Sequence, residues 1–250
     1  MTRIAHLTDT HLDGSAAHRQ RFDAVLEKAW GLGAQHLLLT GDLTGHGRPN
    51  EFQELANALR GWPAHAVTMV PGNHDGHSRT WQTAIDGPLR AFANTSTPGM
   101  FTDIGDAVIV PISTHVGGRA PAFWAIGYVD RASLRMLHEI AGASMVLGKV
   151  MVVAMHHGPQ LSLLQPLDGL VNRHDMTDLL KSHQHVWLCC GHDHRHLDIG
   201  RVFAAASVAE HPDPLRMYET HAGRLIPTYR SEDPGSTLGW LRLRLPSSRT

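Results

Sequence analysis

Five short segments of this chain carry side chains able to bind metal ions, and each lies where an apolar run ends. They are Asp9-x-His11, Gly41-Asp42, Gly72-Asn73-His74, His156 and Gly191-His192-x-His194. Any one of them alone is a polar turn in which Asn or Asp caps backbone groups. Together they supply two aspartates, one asparagine and four histidines (Asp9, Asp42, Asn73, His11, His156, His192 and His194) as candidate metal ligands. Residues two apart on extended backbone point the same way, so Asp9 and His11 can face a single ion. Mixed imidazole and carboxylate donors with one neutral oxygen suit Mn, Fe or Zn better than Mg or Ca. One carboxylate can bridge two such ions held roughly 3.5–4 Å apart. That arrangement generates hydroxide at neutral pH and clamps the oxygens of an in-line displacement at phosphorus. His74 is then left over as an electrophile or as a general acid for the leaving oxygen.

The elements that must position these groups alternate strand and helix. Residues 3–8, 35–40 and 66–70 are apolar runs with strand character, and the runs at 149–155 and 186–190 repeat the pattern. Between the first three lie helix-spaced segments. One follows Gly14-Ser15 with Phe22, Val25, Leu26, Ala29 and Trp30 on one face; the other spans 50–60 with Phe52, Leu55, Ala56 and Leu59. This βαβαβ order predicts parallel strands, whose C-terminal edge is where open α/β sheets place ligands. Residues 78–93 and 131–140 read as helical, 94–99 as a loop, and 101–104 with 107–113 as a hairpin turning at Gly105-Asp106. The stretch 115–127 has no periodic signal and reads as a substrate-side loop; 159–174 reads as irregular and 175–181 as helical. Beyond His196 the chain reads as short strands at 201–209, 224–229 and 238–245. No internal repeat, low-complexity tract or linker interrupts it, so residues 1–250 read as a single domain.

Composition narrows the function. The 250 residues are 42% hydrophobic with a net charge of −1, enough for a substantial core and too little charge to draw in nucleic acid or an anionic membrane. No apolar stretch approaches the roughly 20 residues of a membrane span, and the start of the chain goes straight into a strand pattern, so a cytoplasmic protein is expected. Cys189 and Cys190 read as small buried strand residues. Of the 20 histidines, His18, His65, His138, His183 and His185 stand apart from the five segments and read as surface residues.

The ordered series resembles the calcineurin-like metallophosphoesterases, and the resemblance covers residues 4–196. It implies a four-layer αββα sandwich of two mixed β-sheets flanked by helices. It also implies that Asp9, His11, Asp42 and His194 hold a first metal. Asp42, as the bridge, with Asn73, His156 and His192 holds the second, and His74 is the catalytic histidine that binds no metal. The choice of His156 over His157 as ligand is carried by this resemblance. The phrases Leu-Thr-Asp-Thr-His-Leu, Gly-Asp-Leu-Thr, Val-Pro-Gly-Asn-His-Asp and Met-His-His-Gly-Pro are most similar to the bacterial cyclic-nucleotide and glycerophosphodiester phosphodiesterases. The implied activity is hydrolysis of a small-molecule phosphodiester by a metal-bound hydroxide, with two divalent ions (Mn, Fe or Zn) as cofactor.

Three departures stand out. Protein phosphatases of that superfamily carry a carboxylate three residues after the bridging aspartate, where it orients the catalytic histidine; here the position is Gly45. His157 is followed by Gly158-Pro159 where relatives often have two prolines. The segment Ala204-Ala-Ala-Ser-Val replaces a common Pro-Ser phrase. Alternatives to the diesterase are a phosphomonoesterase, a nuclease and a non-catalytic binding module. The near-neutral charge opposes the nuclease, and the full ligand set opposes the binding module. A homo-oligomer is allowed but nothing in the sequence requires it. His46, His115 and Arg119 could touch substrate phosphate or simply be solvated. Asp75 could orient a neighbour or cap the following helix, Asp193 could brace a ligand imidazole, and His196 lies past the motif.

Overall fold

The computed structural model describes residues 1–76, 80–92, 94–95, 101–115, 125–159 and 169–230. The expected strand at 238–245 and Arg119 lie outside these residues. Fourteen strands are described: β1 (Arg3–Leu7), β2 (His36–Thr40), β3 (Val67–Val70), β4 (Asn94–Thr95), β5 (Thr102–Asp103), β6 (Ala107–Pro111), β7 (Ile126–Gly127), β8 (Val150–Ala154), β9 (Gly169–Leu170), β10 (Val186–Cys190), β11 (Leu197–Ile199), β12 (Val202–Ala204), β13 (Arg216–His221) and β14 (Arg224–Arg230). The helices are α1 (Ala16–Gly31), α2 (Pro49–Ala58), α3 (Thr80–Asp86), α4 (Arg131–Val146) and α5 (Arg173–Ser182).

Two six-stranded mixed sheets form the centre. One has the order β14-β13-β1-β2-β3-β4, the other β11-β12-β10-β8-β6-β5. In the first, β1, β2, β3 and β4 run parallel and β13 is antiparallel to β1; in the second, β6, β8, β10 and β12 run parallel. The side-chain alternation of each strand builds three apolar layers. Leu7, Leu37, Leu39, Val67 and Met69 pack outward against Phe22 and Leu26 of α1 and Phe52 and Leu55 of α2. Val108, Met151, Val153 and Leu188 pack outward against Leu137 of α4 and Met176 of α5. Ile4, Leu38, Val70, Ile109, Val152, Cys189 and Phe203 meet between the sheets. The molecule is therefore the αββα sandwich that the sequence implied.

Helix starts follow local chemistry. Ser15 caps α1 by accepting from His18 N, and Asp130 caps α4 through Ala132 N and Ser133 N. Buried Glu51, in the first turn of α2, accepts from His46 N (2.9 Å) and Arg48 N (3.1 Å) and so ties down the loop that leaves β2.

Several elements differ from the sequence reading: β7 and β9, inside stretches read as irregular, pair in parallel, β11 precedes the first strand expected beyond His196, and the helix read over 78–93 is α3, Thr80–Asp86. Asn94–Thr95, read as loop, pairs in parallel with β3. Helix α4 continues to Val146, a turn and a half beyond the expected end. Strand β13, which carries Arg216 in the buried layer, has no counterpart among the expected strands. Arg216 donates to Ala204 O (2.7 Å) and Leu197 O (2.9 Å), pairs with Asp198, and stacks near Phe203 and Tyr218. These acceptors take up the Nη donors that an arginine ordinarily leaves to solvent, while Nε is buried without a partner.

Candidate active site

All five predicted segments converge at the C-terminal ends of β1, β2, β3, β8 and β10. The chain turns sharply there. Asp9, His11, Asp42, His192 and His194 all have positive φ (51°, 42°, 48°, 73° and 55°), and among the described non-glycine residues only Ala222 joins them. Each such residue costs on the order of 1–3 kcal/mol and persists where the surroundings over-determine it. Five of them in one site mark backbone held in place to aim side chains. Close approach also demands glycine: a methyl at Gly191 would overlap Thr8 Oγ1 and Asp9 Oδ2, and one at Gly72 would overlap Asp42.

Two groups of donor atoms share Asp42. His194 Nε2 lies 3.2 Å from Asp9 Oδ1 and 3.4 Å from His11 Nε2, and His11 Nε2 lies 4.0 Å from both Asp9 Oδ1 and Asp42 Oδ2. On the other side, His156 Nε2 lies 3.3 Å from Asp42 Oδ2 and 3.2 Å from Asn73 Oδ1, while its Nδ1 donates to Thr40 O (2.7 Å). The His192 ring meets that of His156 edge-on at 5.1 Å, and His192 N donates to Asp9 Oδ2 (3.1 Å), which also accepts from Thr8 Oγ1 (2.6 Å). Four triads of these groups place one donor atom each within 4.8 Å of one another: Asp9-His11-His194, His11-Asp42-His74, Asp9-Asp42-His156 and His156-His157-His192.

The donor set fits divalent cations. Asp9 Oδ1 is buried without an aligned hydrogen-bond donor, although imidazole nitrogens crowd it. The imidazoles beside these carboxylates are drawn toward their charged forms. Burial opposes protonation of His156, yet the charge of Asp42 and contact with it push the imidazole up to about 10. Burial likewise opposes His194, but Asp9 and Glu210 raise it to about 9. Asp42, despite its burial, is held well below the carboxylate range by His156 and His74. An anionic field strong enough to keep the buried His156 and the half-buried His194 charged is one that favours cations between them.

Around this centre the remaining expectations resolve individually. His74 Nδ1 donates to Gly45 O (2.8 Å), His74 N donates to Asp42 Oδ1 (2.8 Å), and the ring stacks edge-on 4.7 Å from His11. A backbone carbonyl therefore orients His74 where phosphatases use a carboxylate. Among the described residues, Asp75 engages the backbone beside Asp42 and Asn73. It accepts from Leu43 N (3.0 Å), Thr44 N (2.9 Å), Thr44 Oγ1 (2.7 Å) and Gly72 N (2.9 Å), stitching the β2 and β3 loops together. Burial and the charge of Asp42 push Asp75 up to about 6.

The His157 ring shares a 2.8 Å hydrogen bond with Thr114 Oγ1 through Nδ1, and its Nε2 is buried and unpartnered 4.5 Å (ring to ring) from His192. Burial and the charges of His156 and His192 keep His157 neutral, well below the usual histidine value. His46 Nδ1 lies 3.1 Å from Glu51, His115 bridges to Gly127, and His196 Nε2 donates to Asp213 O (3.1 Å) as a structural residue.

Two supports carry no sequence signal. His18, read as a surface residue, donates from Nδ1 to His11 O (2.9 Å) and so steadies the Asp9-x-His11 turn. Glu210 accepts from His194 Nδ1 at 2.9 Å. No spacing marks either one, because both come from segments outside the five motifs.

Comparison with known proteins agrees with this geometry. Residues 2–196 match the family described as Calcineurin-like phosphoesterase. A Moraxella catarrhalis protein named "Probable cyclic nucleotide phosphodiesterase" is 28% identical over 210 residues, covering 77% of this chain and 71% of its own length. A Synechococcus sp. protein of the same description is 26% identical, covering 95% and 91%. Among solved structures, a dimetal phosphatase from Danio rerio superposes with a TM-score of 0.67 at 14% identity, over 87% of this chain and 92% of that one. The protein TT1561 of Thermus thermophilus gives 0.62 at 15% identity, over 91% and 98%. The structural likenesses bear on the fold and the family match on the chemistry: the chain belongs to the calcineurin-like phosphoesterases, metal-dependent hydrolases of phosphoric esters.

Proposed function

We propose that the chain is a dinuclear-metal phosphodiesterase acting on a small-molecule phosphodiester of the cyclic-nucleotide or glycerophosphodiester type. The observation that carries this reading is Asp42, one carboxylate shared between two groups of donors. Asp9, His11, Asp42 and His194 would hold one ion, and Asp42, Asn73, His156 and His192 the other. His156 is preferred to His157 because its Nε2 faces both Asp42 and Asn73, whereas His157 Nε2 faces imidazoles. Two divalent ions, of the Mn, Fe or Zn type, would supply Lewis acidity at phosphorus and a nucleophile at neutral pH.

The chain's own residues do the rest. Thr40 O, holding His156 Nδ1, and Glu210, holding His194 Nδ1, fix the tautomers that leave Nε2 facing inward. Gly45 O holds His74 Nδ1–H and so turns Nε2, 4.0 Å from Asp42 Oδ2, toward the site; as an imidazolium the ring would carry a second proton on Nε2 for the leaving ester oxygen and return to the neutral Nδ1–H form on giving it up. A neutral carbonyl behind His74 separates this site from the carboxylate-backed histidine of protein phosphatases, and the names of the two relatives favour a diester over a monoester.

The test is hydrolysis of bis(p-nitrophenyl) phosphate against p-nitrophenyl phosphate after reconstitution with Mn, Fe(II), Zn or Mg. Metal-dependent cleavage of the diester, lost in Asn73→Ala, is expected. Activity confined to the monoester would replace the diesterase by a phosphatase, and inactivity with every metal would reject the site.

A further inference from the structure

Glu210 lies in the segment between β12 and β13, outside every motif, yet the fold locks it against the site. Thr8 and Ser207 form an isolated parallel bridge; Val208 N donates to Thr8 O (3.1 Å), and Asp9 O accepts from both Ala209 N (3.2 Å) and Ser207 Oγ (3.0 Å). Arg21 also donates to Ala209 O. The backbone that delivers Asp9 thus also delivers Glu210. Between them the two carboxylates clamp opposite nitrogens of one ring: Asp9 Oδ1 at 3.2 Å from His194 Nε2 and Glu210 Oε2 at 2.9 Å from His194 Nδ1. The corresponding ring of the other donor group, His156, is held at Nδ1 by a neutral carbonyl, Thr40 O.

We infer that Glu210 is a positioning residue that makes the two metal positions unequal, strengthening the Asp9-His11-Asp42-His194 position through His194 while leaving the other untouched. This rests on the site reading given above. A carboxylate accepting the outer N–H of a metal-bound imidazole fixes its tautomer and ring plane and raises the donor strength of the inner nitrogen. Removing such a partner weakens metal affinity by roughly 10–100-fold. Glu210 is 66% exposed, so the effect falls toward about tenfold.

The experiment titrates Mn(II) into the metal-free full-length chain, followed by calorimetry and by electron paramagnetic resonance of free and bound ion. It compares the natural protein with Glu210→Gln, Glu210→Ala and Asp42→Asn. The natural protein should bind two ions. Glu210→Ala should weaken one of them by about tenfold and leave the other within about twofold, with Glu210→Gln, which keeps an acceptor without the charge, in between. The melting temperature of the metal-free Glu210 variants should stay within about 4 °C of that of the natural chain, the size of one lost exposed ion pair, which separates positioning from a general loss of structure. Two unchanged constants in both Glu210 variants, with two ions bound by the natural chain and fewer by Asp42→Asn, would overturn the role of Glu210 alone. A natural chain binding fewer than two ions, or Asp42→Asn binding both, would overturn the site reading and the role of Glu210 with it.

Discussion

His36 makes the fold sensitive to acid, and the size of the effect follows from its surroundings. It is the first residue of β2, faces the buried layer at 1% exposure, and its ring is held by a 2.9 Å hydrogen bond between Nε2 and Thr68 Oγ1. Burial, with a smaller contribution from the charge of His65, lowers it from 6.5 to about 4. Between these values the unfolded chain binds the proton and the folded chain does not. Stability therefore rises with pH through this window and is lost as the pH falls from 6.5 toward 4. At 1.36 kcal/mol per pKa unit, the share of His36 lost between pH 7 and pH 4.5 is roughly 2.5 kcal/mol, a large part of a typical 5–15 kcal/mol. His36→Gln keeps a hydrogen-bonding group and removes the titration. Urea unfolding with chelator present, at pH 7 and pH 4.5, should show the natural chain losing about 2.5 kcal/mol more than His36→Gln. Equal losses in the two proteins would refute the reasoning.

Three further outcomes are expected. Gly72→Ala should drive its methyl into Asp42, costing about 1–3 kcal/mol of stability by overpacking and on the order of 100-fold in kcat, read by thermal melting and diester hydrolysis. His74→Asn should retain both metal ions by elemental analysis while kcat falls about 10²–10⁴-fold, the range of a lost general acid. Chelation should lower the melting temperature, because ions held at about a thousand times their Kd add about 4 kcal/mol per site; differential scanning calorimetry with and without EDTA measures it.

The sequence was most informative where strand ends carry chemistry. The apolar runs of β1, β2, β3, β8 and β10 each stop at a Gly, Asp or His that packing does not need, and those positions are where the seven candidate ligands and His74 meet. Both cysteines are buried and free, as their apolar setting suggested, and no helix among the described residues is long and apolar enough to cross a membrane. What stayed hidden has a common physical cause: partners that are close in space and remote in sequence. Arg216 is buried because carbonyls of β12 and the β11 segment accept its donors, so β13 lacks an apolar face to read. Asp75 looks like a turn residue until the β2 loop is beside it. Glu210 is 16 residues from His194 in an unremarkable acidic-Pro segment, and the Gly45 carbonyl that orients His74 has no side-chain signature at all.

That Asp42 joins two ions is tested most directly by a crystal structure of the chain grown with Mn(II), with anomalous scattering recorded at the metal edge. Two anomalous peaks roughly 3.5–4 Å apart, with the Asp42 carboxylate between them, His194 on one and His156 on the other, are the predicted result. A single peak, or peaks bound by His157 in place of His156 and Asp42, would contradict it.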